Sequence, residues 1–280
     1  MKKIIAQTMD EERALYHLSD AEVSLCNFEG PADGESALKE GRNLKVSQCR
    51  FVLRYPMWHD IGLRLSECHL YDTARAPLWY DSDVTIDHCQ IESVKALREC
   101  QNVSMNKCTV VSPELFWRCG QVTVRDSELT GEYMFMTTRE LTLKNVTMHG
   151  KYSFQYTKNV LVEDSVLDTK DAFWHAENVT VKNCTVKGEY LGWYSQNLTL
   201  INCRISGTQP FCYCENLKLI NCTMEQTDLA FEYSSVEAEI IGHVDSVKNP
   251  RSGFIHADSI GETILSEQVY SCDCEILTKA

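Results

Sequence analysis

No hydrophobic run in this sequence of 280 residues comes near the ~20 residues that a membrane-spanning helix needs. The apolar run behind the basic start, residues 4–6, is far shorter than the roughly 7–15 residues at the centre of a secretory signal. With only 13 glycines and 6 prolines, the chain is neither collagen-like nor of low complexity. These absences predict a cytoplasmic protein, and its 44% of hydrophobic residues can fill a sizeable core.

Basic residues are scarce, because 27 Lys and Arg stand against 40 Asp and Glu, for a formal net charge of −13. Such a surface repels the phosphates of nucleic acids and of anionic lipids, so we expect neither a nucleic acid nor a membrane as a partner. It also disfavours a polyanionic polysaccharide unless a cation mediates the contact. The fingerprints of phosphate loops, dinucleotide sites, zinc proteases and serine hydrolases are missing too, and we expect no cofactor.

The 14 cysteines are too few for a small disulfide scaffold, and a cytoplasmic chain keeps its thiols reduced. Their regular spacing indicates packing positions, and a straight column of thiols does not offer a metal ion the angles it needs. We therefore predict free, buried thiols without a metal ion. Two Cys-X-Cys pairs lack the usual Cys-X-X-Cys spacing and leave metal binding open only there, at Cys212 and Cys214 and at Cys272 and Cys274.

The cysteines mark an internal repeat. The segments that begin at Asn178, Asn197 and Asn216 share the pattern Asn, apolar, any, apolar, any, Asn, Cys. From Cys89 onward, equivalent positions recur at a constant step of about 19 residues, and a fixed period of this kind is typical of a solenoid. The earlier steps, between Cys26 and Cys89, are less regular, because two of them hold small insertions. The anchors of the repeat are Cys26, Cys49, Cys68, Cys89, Cys108, Ser127, Val146, Ser165, Cys184, Cys203 and Cys222.

Each repeat contains an alternating strand. Apolar residues stand five and three positions before the anchor and two after it, and Asn or Gly, which tolerate positive φ, stand where the chain turns. The pattern predicts an all-β fold, a right-handed parallel β-helix (solenoid) of about 11–12 rungs, because right-handed crossovers dominate between parallel strands. We expect a single domain over residues 1–280: an N-terminal cap at 1–20 with one or two helical turns, regular rungs at 21–233, and irregular rungs with a cap at 234–280.

All five tryptophans fall in one column of the repeat, ten residues before the anchor. The column one position earlier is almost entirely apolar, so strict alternation would bury it and turn the tryptophans outward. The tryptophans then form either a packing corner or an exposed strip that binds a ligand. An exposed strip would suit sugar rings, which stack on flat aromatic faces while their hydroxyls take hydrogen bonds. The predicted ligand-binding residues are Trp58, His59, Trp79, Tyr80, Glu114, Trp117, Tyr152, Gln155, Tyr156, Trp174, Tyr190, Trp193 and Tyr194.

Catalysis is less clearly indicated than binding. Glycosidases need two carboxyl groups at a defined separation, and Glu99 and Glu114 lie four positions apart along the strand, which is too far. A lyase acting on a uronate needs a base and positive charges, which a cluster of basic residues near Glu99 could supply. The alternative for this cluster is a surface ion-pair network. If the protein is an enzyme, a carbohydrate-active lyase or hydrolase, the candidate catalytic residues are Lys95, Arg98, Glu99, Arg118, Asp171 and His175.

Five segments carry a family resemblance: residues 30–39, 75–80, 152–156, 171–175 and 190–194. They resemble a bacterial family catalogued as a domain of unknown function, DUF3737, and the resemblance covers nearly the whole chain. It implies a pectin-lyase-like right-handed β-helix. It brings no established activity and therefore assigns no catalytic residue. The paired aspartates of polygalacturonases and the Ca²⁺-binding carboxylate cluster of pectate lyases are both missing from this sequence.

Two functional hypotheses follow. In the first, the protein binds a carbohydrate or glycoconjugate along the aromatic strip. This hypothesis includes the case in which the protein also processes that ligand. In the second, it is a non-enzymatic interaction scaffold whose strip docks a partner protein. An elongated groove open at both ends favours the glycan, and a flat strip without a polar pocket favours the protein partner. The pattern does not determine the oligomeric state.

Overall fold

Short strands and tight turns build the chain, as the alternating pattern requires. A computed structural model describes residues 1–279 and shows an all-β, right-handed parallel β-helix of about 15 turns with about 19 residues per turn. The chain divides into two compact units, Met1–Leu141 and Thr142–Ala280. None of the described residues belongs to a helix with the length and apolarity that crossing a membrane requires.

Most turns contribute one longer strand and one or two short ones. In the first unit, which also contains the 3₁₀ turn Asp72–Ala74, the strands are β1 Lys2–Ile5, β2 Thr8–Met9, β3 Ser19–Ser24, β4 Asn27–Phe28, β5 Arg42–Ser47, β6 Arg50–Phe51, β7 Met57–Trp58, β8 Ile61–Ser66, β9 His69–Leu70, β10 Leu78–Trp79, β11 Ser82–Asp87, β12 Gln90–Glu92, β13 Gln101–Asn106, β14 Thr109–Val111, β15 Gly120–Arg125 and β16 Glu128–Gly131. Strand β17, Arg139–Lys144, begins in the first unit and ends in the second. In the second unit the strands are β18 Thr147–Lys151, β19 Lys158–Glu163, β20 Val166–Lys170, β21 Glu177–Lys182, β22 Thr185–Lys187, β23 Gln196–Ile201, β24 Arg204–Ser206, β25 Leu217–Glu225, β26 Ser235–Ile241, β27 His243–Lys248, β28 Ser252–Ala257, β29 Ser259–Ile264 and β30 Glu275–Thr278.

Strands of successive turns pair in parallel and in register. Val84 of β11 lies beside Val103 of β13, and Val179 of β21 lies beside Leu198 of β23. Each inward side chain therefore stacks on its equivalent one turn later, about 4.8 Å away. Because equivalent side chains stack on one another, the same short motif can supply the core of every turn.

The anchor column lies in the core, as predicted. Cys68 and Cys89 are buried, and the main-chain N–H of Cys68 donates to the Sγ of Cys89 at 3.4 Å. The thiols donate in turn to main-chain carbonyls, as Cys49 does to Ser47 at 3.2 Å. A small side chain that both accepts and donates fits this position, which is why serine replaces cysteine there at Ser127.

All 14 cysteines are free thiols, and 12 of them are buried. Burial raises the pKa of Cys214 to about 11, so this thiol stays protonated and unreactive at neutral pH. Cys272 and Cys274 are partly exposed. Within residues 1–279, no group of three or more His, Cys, Asp or Glu side chains is placed to hold a metal ion.

The solenoid has about 15 turns where 11–12 were predicted, and the additional turns lie at the two ends of the chain. Strand β1 pairs in parallel with β3, with Ile4 beside Val23, so the segment expected to form an N-terminal cap contributes a turn of the solenoid. Residues 10–18 form turns and not the helix that the sequence suggested. Three further turns, which contain β26, β28 and β30, follow the last anchor. These terminal turns lack an anchor cysteine, and the three after the last anchor lie in the segment 234–280, where irregular rungs were expected.

Candidate functional site

The tryptophan column occupies a corner of each turn. The residue after the tryptophan has a left-handed backbone, as in His59 with φ 61° and Tyr80 with φ 62°. A left-handed residue interrupts the alternation of a strand. As a result Trp58 and Trp79 are half-buried, while His59 and Tyr80 are exposed. The tryptophans are thus less exposed, and the column after them more exposed, than alternation predicted.

Every indole is tied to the main chain of the next turn. Its Nε1–H donates to a carbonyl oxygen 16 or 18 residues later in the sequence. The rings therefore belong both to the packing of the corner and to the surface. The five bonds run from Trp58 to Ala76 at 2.7 Å, from Trp79 to Lys95 at 2.9 Å, from Trp117 to Tyr133 at 2.5 Å, from Trp174 to Tyr190 at 3.1 Å and from Trp193 to Gln209 at 2.9 Å.

In the first unit the column forms a continuous stack of rings and cations. The indoles of Trp58 and Trp79 are parallel within 3°, with 5.1 Å between their centroids. The guanidinium of Arg98 lies 5.1 Å from the ring of Trp79 and 5.0 Å from that of Trp117, so it fills the place of a missing ring. Beside this stack, His59 and Tyr80 are stacked at 4.9 Å. We call these six residues the first-unit aromatic face.

The charged residues near this face neutralise one another. Glu114 forms ion pairs with Lys95 at 3.7 Å and with Arg98 at 3.9 Å, and Arg118 pairs with Glu99 at 3.5 Å. The four predicted catalytic residues of the first unit are therefore partners in ion pairs across turns. The alternative to a lyase cluster was an ion-pair network of Arg98, Glu99 and Arg118; Glu99 and Arg118 do pair, while Arg98 pairs with Glu114.

In the second unit an unbroken ladder of rings lines the corner. Tyr156, His175, Tyr194 and Tyr213 are stacked at successive centroid distances of 5.1, 5.1 and 4.9 Å, with interplanar angles of 3–12°. The parallel indoles of two neighbouring tryptophans lie 5.8 Å apart beside it. We call this set of residues the second-unit aromatic face: Tyr156, Trp174, His175, Trp193, Tyr194 and Tyr213.

The geometry of the ladder decides which part of a ring a ligand can meet. Because the rings lie face to face, each inner ring has both faces covered by its neighbours. The inner ring of Tyr194 is nevertheless 42% exposed, so its edge carries the exposure, while the end ring of Tyr156, 51% exposed, is stacked on the ladder through one face. The predicted stacking of a sugar ring on a flat aromatic face is therefore available only at the ends of a stack. Along the ladder, a ligand meets phenol and imidazole edges.

The remaining predicted residues of the second unit lie around this face. Asp171 is only 6% exposed, and its burial raises the pKa of its carboxyl group; the charge of Glu189 raises the pKa further, and that of Lys170 lowers it. Lys170 and Glu189 are themselves paired at 3.0 Å. Tyr152, Gln155 and Tyr190 are half-buried, and the ring of Tyr190 packs edge-on against Trp193 at 5.6 Å.

The sequence reasoning missed a second buried polar column, two positions after the tryptophans. In the first unit it holds Asp60, Asp81, Cys100, Cys119 and Thr138, all fully buried or nearly so. The available signal was the type of residue, since serine, threonine or cysteine recurs at this position. Two aspartates in the same column break that pattern.

Solved structures of similar fold were found at low sequence identity. A mutant tailspike protein of E. coli bacteriophage HK620 is 8% identical, with a TM-score of 0.49, over 89% of this chain and 59% of its own. The A-module of the mannuronan C-5 epimerase AlgE6 of Azotobacter vinelandii is 10% identical, with a TM-score of 0.40, over 98% and 87%. An endo-xylogalacturonan hydrolase of Aspergillus tubingensis is 12% identical, with a TM-score of 0.39, over 85% and 87%. These are similarities of fold alone.

Sequence comparisons gave one result. A family model described as protein of unknown function, DUF3737, matches residues 2–277. No curated protein matches the sequence. The matched range includes both aromatic faces and nearly all of both compact units.

Proposed function

The chain belongs to the DUF3737 family of proteins of unknown function, and from its geometry we propose that the second-unit aromatic face binds a carbohydrate chain. The observation that carries the proposal is the ladder of Tyr156, His175, Tyr194 and Tyr213, whose rings recur once per turn. Equal groups at equal intervals suit a ligand built from repeating units. A polysaccharide is such a ligand, and its hydroxyls can pair with each polar edge.

The chemistry of the ring edges supports a hydroxyl-rich ligand. A phenol hydroxyl donates one hydrogen bond and accepts others, and a neutral imidazole has one donor and one acceptor nitrogen. Sugar hydroxyls have the same dual character. The hydroxyls of Tyr156 and Tyr194 form no hydrogen bond with any other group of residues 1–279. These two hydroxyls are therefore available to a ligand.

The rigidity of the face favours binding as well. Stacking holds each ladder ring between its neighbours, and main-chain bonds hold Trp174 at 3.1 Å and Trp193 at 2.9 Å. Side chains that are already ordered lose little conformational entropy when a ligand binds, and affinity rises accordingly. The half-buried indoles add an apolar surface for the C–H groups of a sugar. The net charge of −13 favours a neutral glycan over an acidic one.

The proposal is limited to binding. Lys95, Arg98, Glu99 and Arg118 are engaged in ion pairs, which leaves no free charge cluster for an elimination reaction in the first unit. We also propose a cytoplasmic location. Its support is the chemistry of the core, in which free thiols serve as packing groups; in an oxidising compartment these thiols would be open to oxidation while the chain folds, before they are buried.

The test separates ring edges from ring faces. Tyr156→Phe and Tyr194→Phe remove a hydroxyl and keep the stacked ring, so each should weaken binding by about 1 kcal/mol with an unchanged melting temperature. Binding is measured by calorimetry against neutral oligosaccharides of glucose, mannose and xylose, and against galacturonate oligomers. Tyr16→Phe is the matched control, since Tyr16 is 44% exposed and lies outside both aromatic faces. If no oligosaccharide binds, or if the Phe variants bind as the natural chain does, the proposal is wrong.

The interaction-scaffold hypothesis makes the opposite prediction for the same variants. Protein partners bury aromatic rings as hot spots, and a phenylalanine retains most of that buried area. Retained binding of a partner protein by Tyr194→Phe, together with its loss in Tyr194→Ala, would favour the scaffold over the glycan.

A further inference from the structure

Two aspartates lie inside the first unit, where no solvent reaches them. Asp60 is 0% and Asp81 is 1% exposed. One carboxyl oxygen of each accepts a main-chain N–H: Oδ1 of Asp60 from Gly41 at 2.6 Å, and Oδ1 of Asp81 from Asp60 at 2.8 Å. The other oxygen, Oδ2, is buried in both residues and has no hydrogen-bond partner among residues 1–279. A buried charge without a partner is costly, so this arrangement requires an explanation.

The other turns show what this column does. Cys100 donates from Sγ to the carbonyl of Leu78 in the preceding turn at 3.4 Å, and Cys119 donates to Leu97 at 3.4 Å. Thr138 donates in the same way to Phe116. In the second unit, Cys214 donates to Gly192 at 2.9 Å and Ser234 to Phe211 at 2.5 Å.

The column therefore contains groups that accept an N–H on one side and donate to a carbonyl on the other. An ionised carboxylate can only accept. A protonated carboxyl group does both, since one oxygen accepts while the O–H of the other donates. The carbonyl that occupies the register position of Leu78 relative to Cys100 is that of Leu38 for Asp60 and that of Met57 for Asp81.

We propose that Asp60 and Asp81 are neutral carboxylic acids in the folded protein, each donating its O–H to a main-chain carbonyl of the preceding turn, and that their ionisation at rising pH loosens the first unit. The turns concerned carry Trp58 and Trp79. Ionisation of the two aspartates thus affects the first-unit aromatic face, and this proposal does not depend on glycan binding by the second-unit aromatic face.

The surroundings of both groups favour the neutral form. Burial is the main cause that raises the pKa of Asp60; the charge of Glu40 adds to it, while the N–H of Gly41 and the guanidinium of Arg42 oppose it. Burial likewise raises the pKa of Asp81, and Cys100 and Asp60 raise it further, against the N–H groups of Asp60 and His59. Other ionisable groups of these turns are Lys39, Tyr80 and Glu99, which lie in the half-buried or exposed columns.

The sign of the effect follows from proton linkage. An unfolded aspartate has a pKa of about 3.9, and the folded values are raised, so the folded state binds more protons above that pH. The stability that these two groups contribute is fully present below about pH 4 and is lost as pH rises through their folded pKa values. Most surface carboxylates act in the opposite direction.

The protonation state can be read directly by carbon NMR. With aspartate labelled at the carboxyl carbon, the full chain at about pH 7 should show two signals at the position of a protonated acid, and Asp60→Asn and Asp81→Asn should each remove one. Asp83→Asn, at an exposed position of β11, should remove neither. If every aspartate of the natural chain titrates near pH 4, the inference is overturned, whether or not the variants fold.

A second measurement tests the coupling to stability. The melting temperature of the natural chain should fall between about pH 5 and pH 8, and each Asn variant should show a smaller fall and a higher melting temperature at pH 8. Asp81→Thr, which introduces the residue type of Thr138, should do the same. The coupling is refuted if these variants fold and their melting temperature falls with pH as much as that of the natural chain. It is also refuted if Asp83→Asn reduces the fall as much as they do.

Discussion

Replacing Arg98 by alanine should lower the free energy of unfolding of the first unit by about 2–3 kcal/mol. The guanidinium lies 5.1 Å from the ring of Trp79 and 5.0 Å from that of Trp117, and its side chain is only 20% exposed. A partly desolvated cation–π contact stabilises by about 1 kcal/mol, and Arg98 makes two. The ion pair with Glu114 at 3.9 Å adds less than about 1 kcal/mol.

Arg98→Trp tests whether the arginine serves as a substitute ring. The stack of Trp58 on Trp79, parallel within 3° at 5.1 Å, shows that adjacent turns accept two indoles at this position. A tryptophan at position 98 would continue that stack, so we expect its stability to lie within about 1 kcal/mol of the natural chain. Glu114 would then retain only its pair with Lys95, at 3.7 Å.

Equilibrium unfolding in urea, followed by tryptophan fluorescence and by far-ultraviolet circular dichroism, measures these differences. Arg118→Ala is the matched control, because Arg118 is 61% exposed at its side chain and makes a single ion pair with Glu99. Its loss should change the unfolding free energy by less than about 1 kcal/mol. The reasoning is refuted if Arg98→Ala is no more destabilising than Arg118→Ala, or if Arg98→Trp is as destabilising as Arg98→Ala.

Two further predictions concern the tryptophans and the thiols. Trp174→Phe retains an aromatic ring but loses the hydrogen bond from Nε1 to the carbonyl of Tyr190. Thermal unfolding should show a loss of about 1 kcal/mol in the free energy of unfolding, and a larger loss if no water replaces the indole at that carbonyl. In titration with a thiol reagent, the native chain should react at Cys272 and Cys274 first, and 14 thiols should react after denaturation; a lower count in the denatured chain would mean that disulfides exist.

The fold was predictable because small side chains that stack in the core recur at a constant interval in the sequence. Cys184, Cys203 and Cys222 stand at equal steps, and a parallel solenoid is the structure that places such residues directly above one another. The terminal turns were not predictable in the same way. Strand β25 pairs with β26 through a register shift between Leu219 and Cys222, after which the spacing no longer repeats.

The candidate site was predictable in composition but not in exposure. The sequence placed the aromatic residues in columns, yet alternation assigned the greatest exposure to Trp58 and Trp79, when the corner gives it to His59 and Tyr80. The left-handed conformation of these corner residues comes from the path of the turn, and the local propensity of Tyr does not indicate it. The burial of Asp60 was not predictable, because an aspartate is ordinarily expected at the surface.

The register of the turns bears on how a gene of this kind can lengthen or shorten. Excision of the segment 185–203 would remove one whole step of the repeat and bring Leu219 beside Val181, two aliphatic residues that already belong to one stack. A loss of any odd number of residues within a strand would instead exchange its two faces. Descendants of such a gene are expected to differ by whole turns, or by insertions at corners such as that of the 3₁₀ turn Asp72–Ala74, where the step from Cys68 to Cys89 is already longer than the regular one.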